Sequence, residues 1–226
     1  MSNPLYTFPT VCGQTLRALA RYPSRTAFSW PGGSLTYRGA TDLIGRMQAV
    51  FMKLGLPPGA RVAFLTANRA DTWCAGVAAQ LSRLALTWLH PLGSLDDQLF
   101  QLEDSEAEML VIDANAFGDR GGELAAKVQG VMTVFTLGPA NYGTDLLATI
   151  EEAGHATARC FARADDFATL ITPAAPRASP RARCAIIANM VVSPAPFSPI
   201  SKFRRPHAIS RLRRSAMSPA PRYCRL

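Results

Sequence analysis

The chain changes its chemistry at one point, and that point bounds what can fold. Residues 172–226 hold eleven Arg or Lys and no Asp or Glu, whereas residues 1–171 hold thirteen basic and all sixteen acidic side chains. All 16 glycines lie between Gly13 and Gly154, and nine of the 17 prolines fall after Ile171. A stretch of Pro, Arg and Ser has little apolar area to bury and its charges repel one another, so it builds no core of its own. A packed fold must therefore come from residues 1–171, which suffice for one α/β unit; residues 172–226 are expected to be a disordered basic tail.

Hydrophobic spacing within 1–171 alternates between the two regular periods. Thr10–Tyr22 reads as a helix with Leu16, Leu19 and Ala20 on one face, stopped by Pro23. Thr26–Trp30 and Ser34–Thr36 read as short strands joined at Pro31, Gly32 and Gly33. Thr36 is placed to cap a helix from Tyr37 to about Leu54, with Leu43, Met47, Val50, Phe51 and Leu54 at helical spacing and Gly55 as its stop. A strand follows at Arg61–Thr66, apolar enough to be buried on both faces. Then come a helix at 70–84, a strand at 86–89, a helix begun by Ser94, a strand at 109–113, a helix at 121–128, a strand at 131–136 and a helix at 144–153. Such alternation predicts a largely parallel sheet with helices on both faces.

Few residues offer chemistry. Five Cys without a CxxC pair or metal-ligand spacing argue for free thiols and a reducing, cytoplasmic setting. No signal-like N-terminus and no run long enough to span a membrane stands out. His90 beside Pro91 has no acid or nucleophile near it in sequence and reads as a surface or packing residue. Glu103, Asp104, Glu106 and Glu108 point different ways around a helix end and read as a solvated loop rather than a metal or acid/base pair. Gly118–Gly122 lacks the spacing of the common phosphate loops and reads as a turn. No catalytic, cofactor-binding or metal-binding residue is assigned in this chain. In an authentic gene, Arg204–Arg205 and Arg211–Arg214 would form a nucleic-acid or anionic-membrane patch.

The genetic code offers a second origin for that patch. Read one nucleotide late, each intended codon is the third base of one tail codon followed by the first two of the next, so only its first base is adjustable. With permitted third bases, Thr172–Ala185 (TPAAPRASPRARCA) becomes YTGGTTGKSPGAMR, and Ile200–Leu226 becomes DFEIPATPRYLTVAPISHVAGTKVLPT. The first string resembles the phosphate-binding signature of the acyl-adenylate-forming, or AMP-binding, ligases. The second resembles the downstream His-containing segment of the same superfamily. The tail is therefore expected to be an out-of-frame product, with no specific nucleic acid as its partner.

In-frame residues carry the same resemblance. Thr36, Tyr37, Gly55, Gly59, Arg61, Val62, Ala63, Asn68 and Pro91 match, in order, the N-terminal subdomain of acyl-CoA synthetases, and residues 165–170 resemble the entry to the strand before the phosphate loop. Ala60 departs from the family's usual Asp, and Trp88-Leu89-His90 is bulkier than the usual small polar segment. The resemblance implies a fragment, residues 1–171, of a ligase for a fatty or other carboxylic acid. The intact enzyme would use ATP, Mg²⁺ and coenzyme A to form an acyl-adenylate and then a thioester; no cofactor is expected for this chain. Two other readings stay open: a nucleic-acid or membrane-surface binder using the tail, and a non-catalytic assembly partner of a full-length relative.

Overall fold

The computed structural model describes residues 10–131, 133–171 and 185–188. Its centre is a seven-stranded sheet built from β3 (Arg61–Leu65), β4 (Ala85–Trp88), β5 (Met109–Asp113), β6 (Thr133–Leu137), β7 (Thr144–Asp145), β8 (Phe167–Ile171) and β9 (Ala185–Ala188). The strand order is β7-β6-β5-β3-β4-β8-β9, parallel throughout except for the antiparallel edge strand β9. A separate hairpin pairs β1 (Thr26–Trp30) with β2 (Gly33–Thr36). The helices are α1 (Val11–Arg21), α2 (Tyr37–Lys53), α3 (Ala70–Leu81), α4 (Leu95–Asp104), α5 (Ala114–Lys127) and α6 (Leu146–Ala153).

Period-two alternation divides the core. Val62 and Phe64 of β3, with Met109 and Val111 of β5, face a cluster that includes Ile44, Met47 and Phe51 of α2 and Cys74 and Ala78 of α3. Ala63, Leu65, Leu110 and Ile112 face the other way, onto Leu102 of α4 and Leu124 of α5. The helices sort as a single hand of crossover requires. The connections that step toward β9 carry α3 and α6 on the first face, and those that step back carry α4 and α5 on the second. Four of the five residues of β3 and all five of β5 are buried, which explains their apolar runs.

Caps set most boundaries where the sequence places them. The Thr10 hydroxyl accepts from Gly13 N, and the Thr36 hydroxyl from Gly39 N. Ser94 and Asp97 form a reciprocal capping box at α4. Gly55, at φ 66°, takes the left-handed conformation that ends α2.

Five expectations are corrected. The inward face of α1 is Cys12 and Leu19 with partly buried Leu16, while Ala20 is exposed. Helix α5 starts at Ala114 rather than Gly121, because the Asp113 carboxylate accepts from Asn115 N and Ala116 N, and it kinks at Phe117 (φ −134°, ψ 28°) before running on to Lys127. Gly118–Gly122 are accordingly helical rather than a turn: a side chain at Gly121 would collide with Ile112 and with Tyr142, whose hydroxyl donates to Gly118 O at 2.8 Å. Strand β7 precedes α6, which is capped by Asp145. Within the tail, Ala185–Ala188 form β9 against β8; the remainder of 172–226 lies outside the described residues.

A strap over 154–166 returns the chain from α6 to β8. The buried Gln48 of α2 takes the place of a strand neighbour: its Oε1 accepts from Arg159 N at 2.9 Å and its Nε2 donates to Arg159 O at 2.7 Å. Phe161 N donates to Leu81 O at 3.0 Å. Arg83 then closes a two-point ion pair on Asp166, with Nε–Oδ2 2.9 Å and Nη2–Oδ1 2.7 Å. These contacts deliver β8 to the side of β4.

Candidate functional site: a tryptophan-lined cleft at the carboxyl ends of the strands

Open parallel sheets bind ligands in crevices outside the carboxyl ends of their strands, and this sheet has a cleft there of about 1160 Å³. The β1–β2 hairpin supplies Phe28, Trp30 and Leu35; the turn after β3 and the start of α3 supply Asn68, Arg69, Asp71 and Trp73; β4 and β8 supply Leu86, Trp88 and Thr169. Thr169 sits opposite Leu86 in the ladder, so the strap's anchoring of β8 sets that wall. Aromatic contacts set the others. The Phe28 and Trp73 rings lie 5.2 Å apart and the Phe64 and Trp88 rings 4.7 Å apart, both tilted.

Polar groups gather at one end. The Arg69 guanidinium grips Asp71 through Nε–Oδ1 at 3.0 Å and Nη2–Oδ2 at 2.6 Å, and its Nη1 reaches Oδ1 of the fully buried Asp113 at 3.4 Å. The hydrogen bond to Asp71 holds the Arg69 pKa above its ordinary value against the opposing pull of burial. Arg69 is thus paired with two carboxylates and is committed to fixing the β3–α3 turn. The neighbouring Cys74 thiol is no nucleophile either: burial, aided by the Asp71 charge, pushes it up to about 12, and it donates to Ala40 O. Away from that polar end the cleft is lined mainly by aromatic and aliphatic side chains.

The residues weighed in the sequence fall elsewhere. His90 is exposed; its Nδ1 accepts from Leu92 N at 3.2 Å and its carbonyl from Gln98 Nε2 at 2.8 Å, so it shapes a turn. Glu103, Asp104 and Glu106 are exposed, and Glu106 pairs with Arg61 at 2.8 Å. Among the described residues no group of three His, Cys, Asp or Glu could hold a metal, and no helix is long and apolar enough to cross a membrane. Arg204–Arg205 and Arg211–Arg214 lie outside the described residues. The sequence reading missed the cleft, although one signal was present: the chain's three tryptophans all line it.

A family profile described as "AMP-binding enzyme" matches residues 16–177. The chain belongs to that family. Its relatives include the medium/long-chain-fatty-acid–CoA ligase FadD8 of Mycobacterium tuberculosis, 32% identical over 140 residues that make up 61% of this chain and 24% of FadD8. Among solved structures it is similar to a Mycobacterium tuberculosis fatty acyl CoA synthetase, at 20% identity and TM-score 0.63, covering 79% of this chain and 34% of that one. It is also similar to ATP-bound MatB of Rhodopseudomonas palustris, at 24% identity and TM-score 0.62, covering 81% and 35%. At these identities the structures speak for the fold. The chain spans about a quarter of the length of the curated relative it matches.

Proposed function

We propose that residues 1–171 are the first part of an ATP-dependent carboxylic acid–CoA ligase whose reading frame slips near Ile171, and that residues 172–226 are translated out of frame. One observation carries this reading. Strand β8 ends at Ile171 beside β4, and the residues that follow, back-translated with permitted third bases and read one nucleotide late, are compatible with TGGTTGK. In the intact enzyme a carboxylate attacks the α-phosphorus of ATP, so two anions must be brought together. Backbone N–H groups of a glycine loop, a Lys and Mg²⁺ offset that charge. Coenzyme A then takes the acyl group as a thioester.

The residues written after Ile171 do not fit a nucleotide. Pro173, Pro176 and Pro180 lack the N–H donors that a phosphate cradle uses, and no Lys stands where the shifted frame puts one. Nor do the described glycines supply a substitute, because Gly118–Gly122 are spent in α5. No step is assigned to ATP on this chain. Sequencing codons 165–226 and their downstream DNA tests the reading, together with acid-dependent pyrophosphate release from ATP by the chain and by its frame-restored product. The expected result is an open frame encoding YTGGTTGK and turnover by the restored product alone. Absence of that frame, or turnover by the 226-residue chain above a tail-deleted control, overturns it.

A further inference from the structure

We infer that the tryptophan cleft is a docking surface whose occupant is the downstream portion of an AMP-binding enzyme, received as a separate polypeptide. The inference rests on the family membership and on the reading of residues 1–171 as a first part. Trp30 is 50% exposed, Trp88 47% and Trp73 37%, and they line one concavity with Phe28 and Leu86. Tryptophan is the side chain most enriched at binding hot spots, and a contiguous exposed aromatic surface of this kind marks an interaction site.

Length and position say what covers it. The chain corresponds to 24% of FadD8 and about a third of two solved relatives, so most of each relative's fold lies beyond the matched part. The family match stops at residue 177, just past β8, whose Thr169 lines the cleft. The relatives are about three times as long as the part that matches, and β8, the last strand described before the match ends, borders this cleft. At the cleft's polar end Arg69 is already held by Asp71 and Asp113. An apolar segment can thus enter without leaving the Arg69 guanidinium unpaired.

The test uses the full 226-residue chain and, as probe, FadD8 from which the matched stretch and everything before it have been deleted. The two are co-expressed, and the complex is measured by sedimentation and by titration calorimetry. A 1:1 complex is expected, weakened roughly thirtyfold by Trp30→Ser or Trp88→Ser. Leu92→Ser, an 89% exposed apolar position outside the cleft, should leave binding unchanged. Circular dichroism of each variant separates lost docking from lost folding, and Trp30→Phe should restore most of the binding. Three results overturn the inference: no complex, a complex indifferent to both tryptophan substitutions, or a homodimer of this chain that those substitutions dissolve. None of these is an activity measurement, so the inference can fail while the ligase reading stands.

Discussion

Single residues hold the fold together where a sequence scan sees nothing to hold. Gly45 lies in the middle of α2, where Ala would ordinarily gain about 1 kcal/mol in helix propensity. A Cβ there would run into the carbonyl of Ala156 and the amide of Ala158, which are backbone atoms of the strap rather than a yielding side chain. Overpacking of this kind costs about 1–3 kcal/mol, so the clash wins. Gly45→Ala is expected to lower the urea midpoint, and an unchanged or raised midpoint would show that the strap gives way. Cys74 makes the complementary point about reactivity. With its pKa at about 12 against the ordinary 9.0, its thiolate fraction below pH 9 is about a thousandfold smaller than that of a free thiol. Iodoacetamide labelling read by peptide mass spectrometry should modify exposed Cys160 promptly. It should reach buried Cys12 and Cys74 only on unfolding.

Elements were legible from the sequence where local chemistry decides them, and illegible where distant contacts do. Thr36, Ser94 and Gly55 mark their helix ends in the sequence because a cap acts over three residues. The buried strands β3 and β5 announce themselves as apolar runs. By contrast, the start of α5 was hidden behind glycines that are present for Tyr142 and Ile112, and β7 is too short to carry a period. Sheet order could not be read at all, because pairing β8 with β4 depends on a strap held by a buried Gln. The strap yields two predictions. Gln48→Leu strips Arg159 of both backbone partners, at about 1–3 kcal/mol; hydrogen exchange should quicken at Phe161 and along β8 before the rest of the sheet. Unchanged exchange there would show that the strap holds without Gln48. Asp166 gives the pH dependence. Hydrogen bonds from Arg83, then from the Arg163 amide, hold its pKa below the ordinary 3.8. Its carboxylate therefore contributes fully above the unfolded value, and the contribution is lost as pH falls through the lower folded one. Asp166→Asn should lower stability at neutral pH and flatten the acid limb of a stability–pH curve below about pH 4. An acid limb as steep as that of the parent chain would assign the slope to other carboxylates.

At the scale of the whole molecule, the join between the two compositions poses one physical question: how residues 185–188 come to extend a sheet otherwise built from residues 61–171. Ladder hydrogen bonds are made by the backbone, so an open strand edge accepts any short extended segment free of proline. Ala185-Ile186-Ile187-Ala188 is such a segment, bounded by a chain rich in proline and arginine. It pairs in antiparallel register with β8, Thr169 opposite Ile187 and Leu170 opposite Ile186. On this account β9 shields an edge, and its residue identities matter less than its N–H groups. Replacing Ile186 and Ile187 together by Pro removes two donors at unchanged net charge. Hydrogen exchange should then rise at residues 168–170 while the amides of β3 and β5 keep their protection. The variant should also self-associate with concentration in sedimentation, because the uncovered β8 offers its edge to another copy. A variant that stays monomeric, with the β8 amides as protected as before, would mean that β9 contributes nothing to covering the sheet.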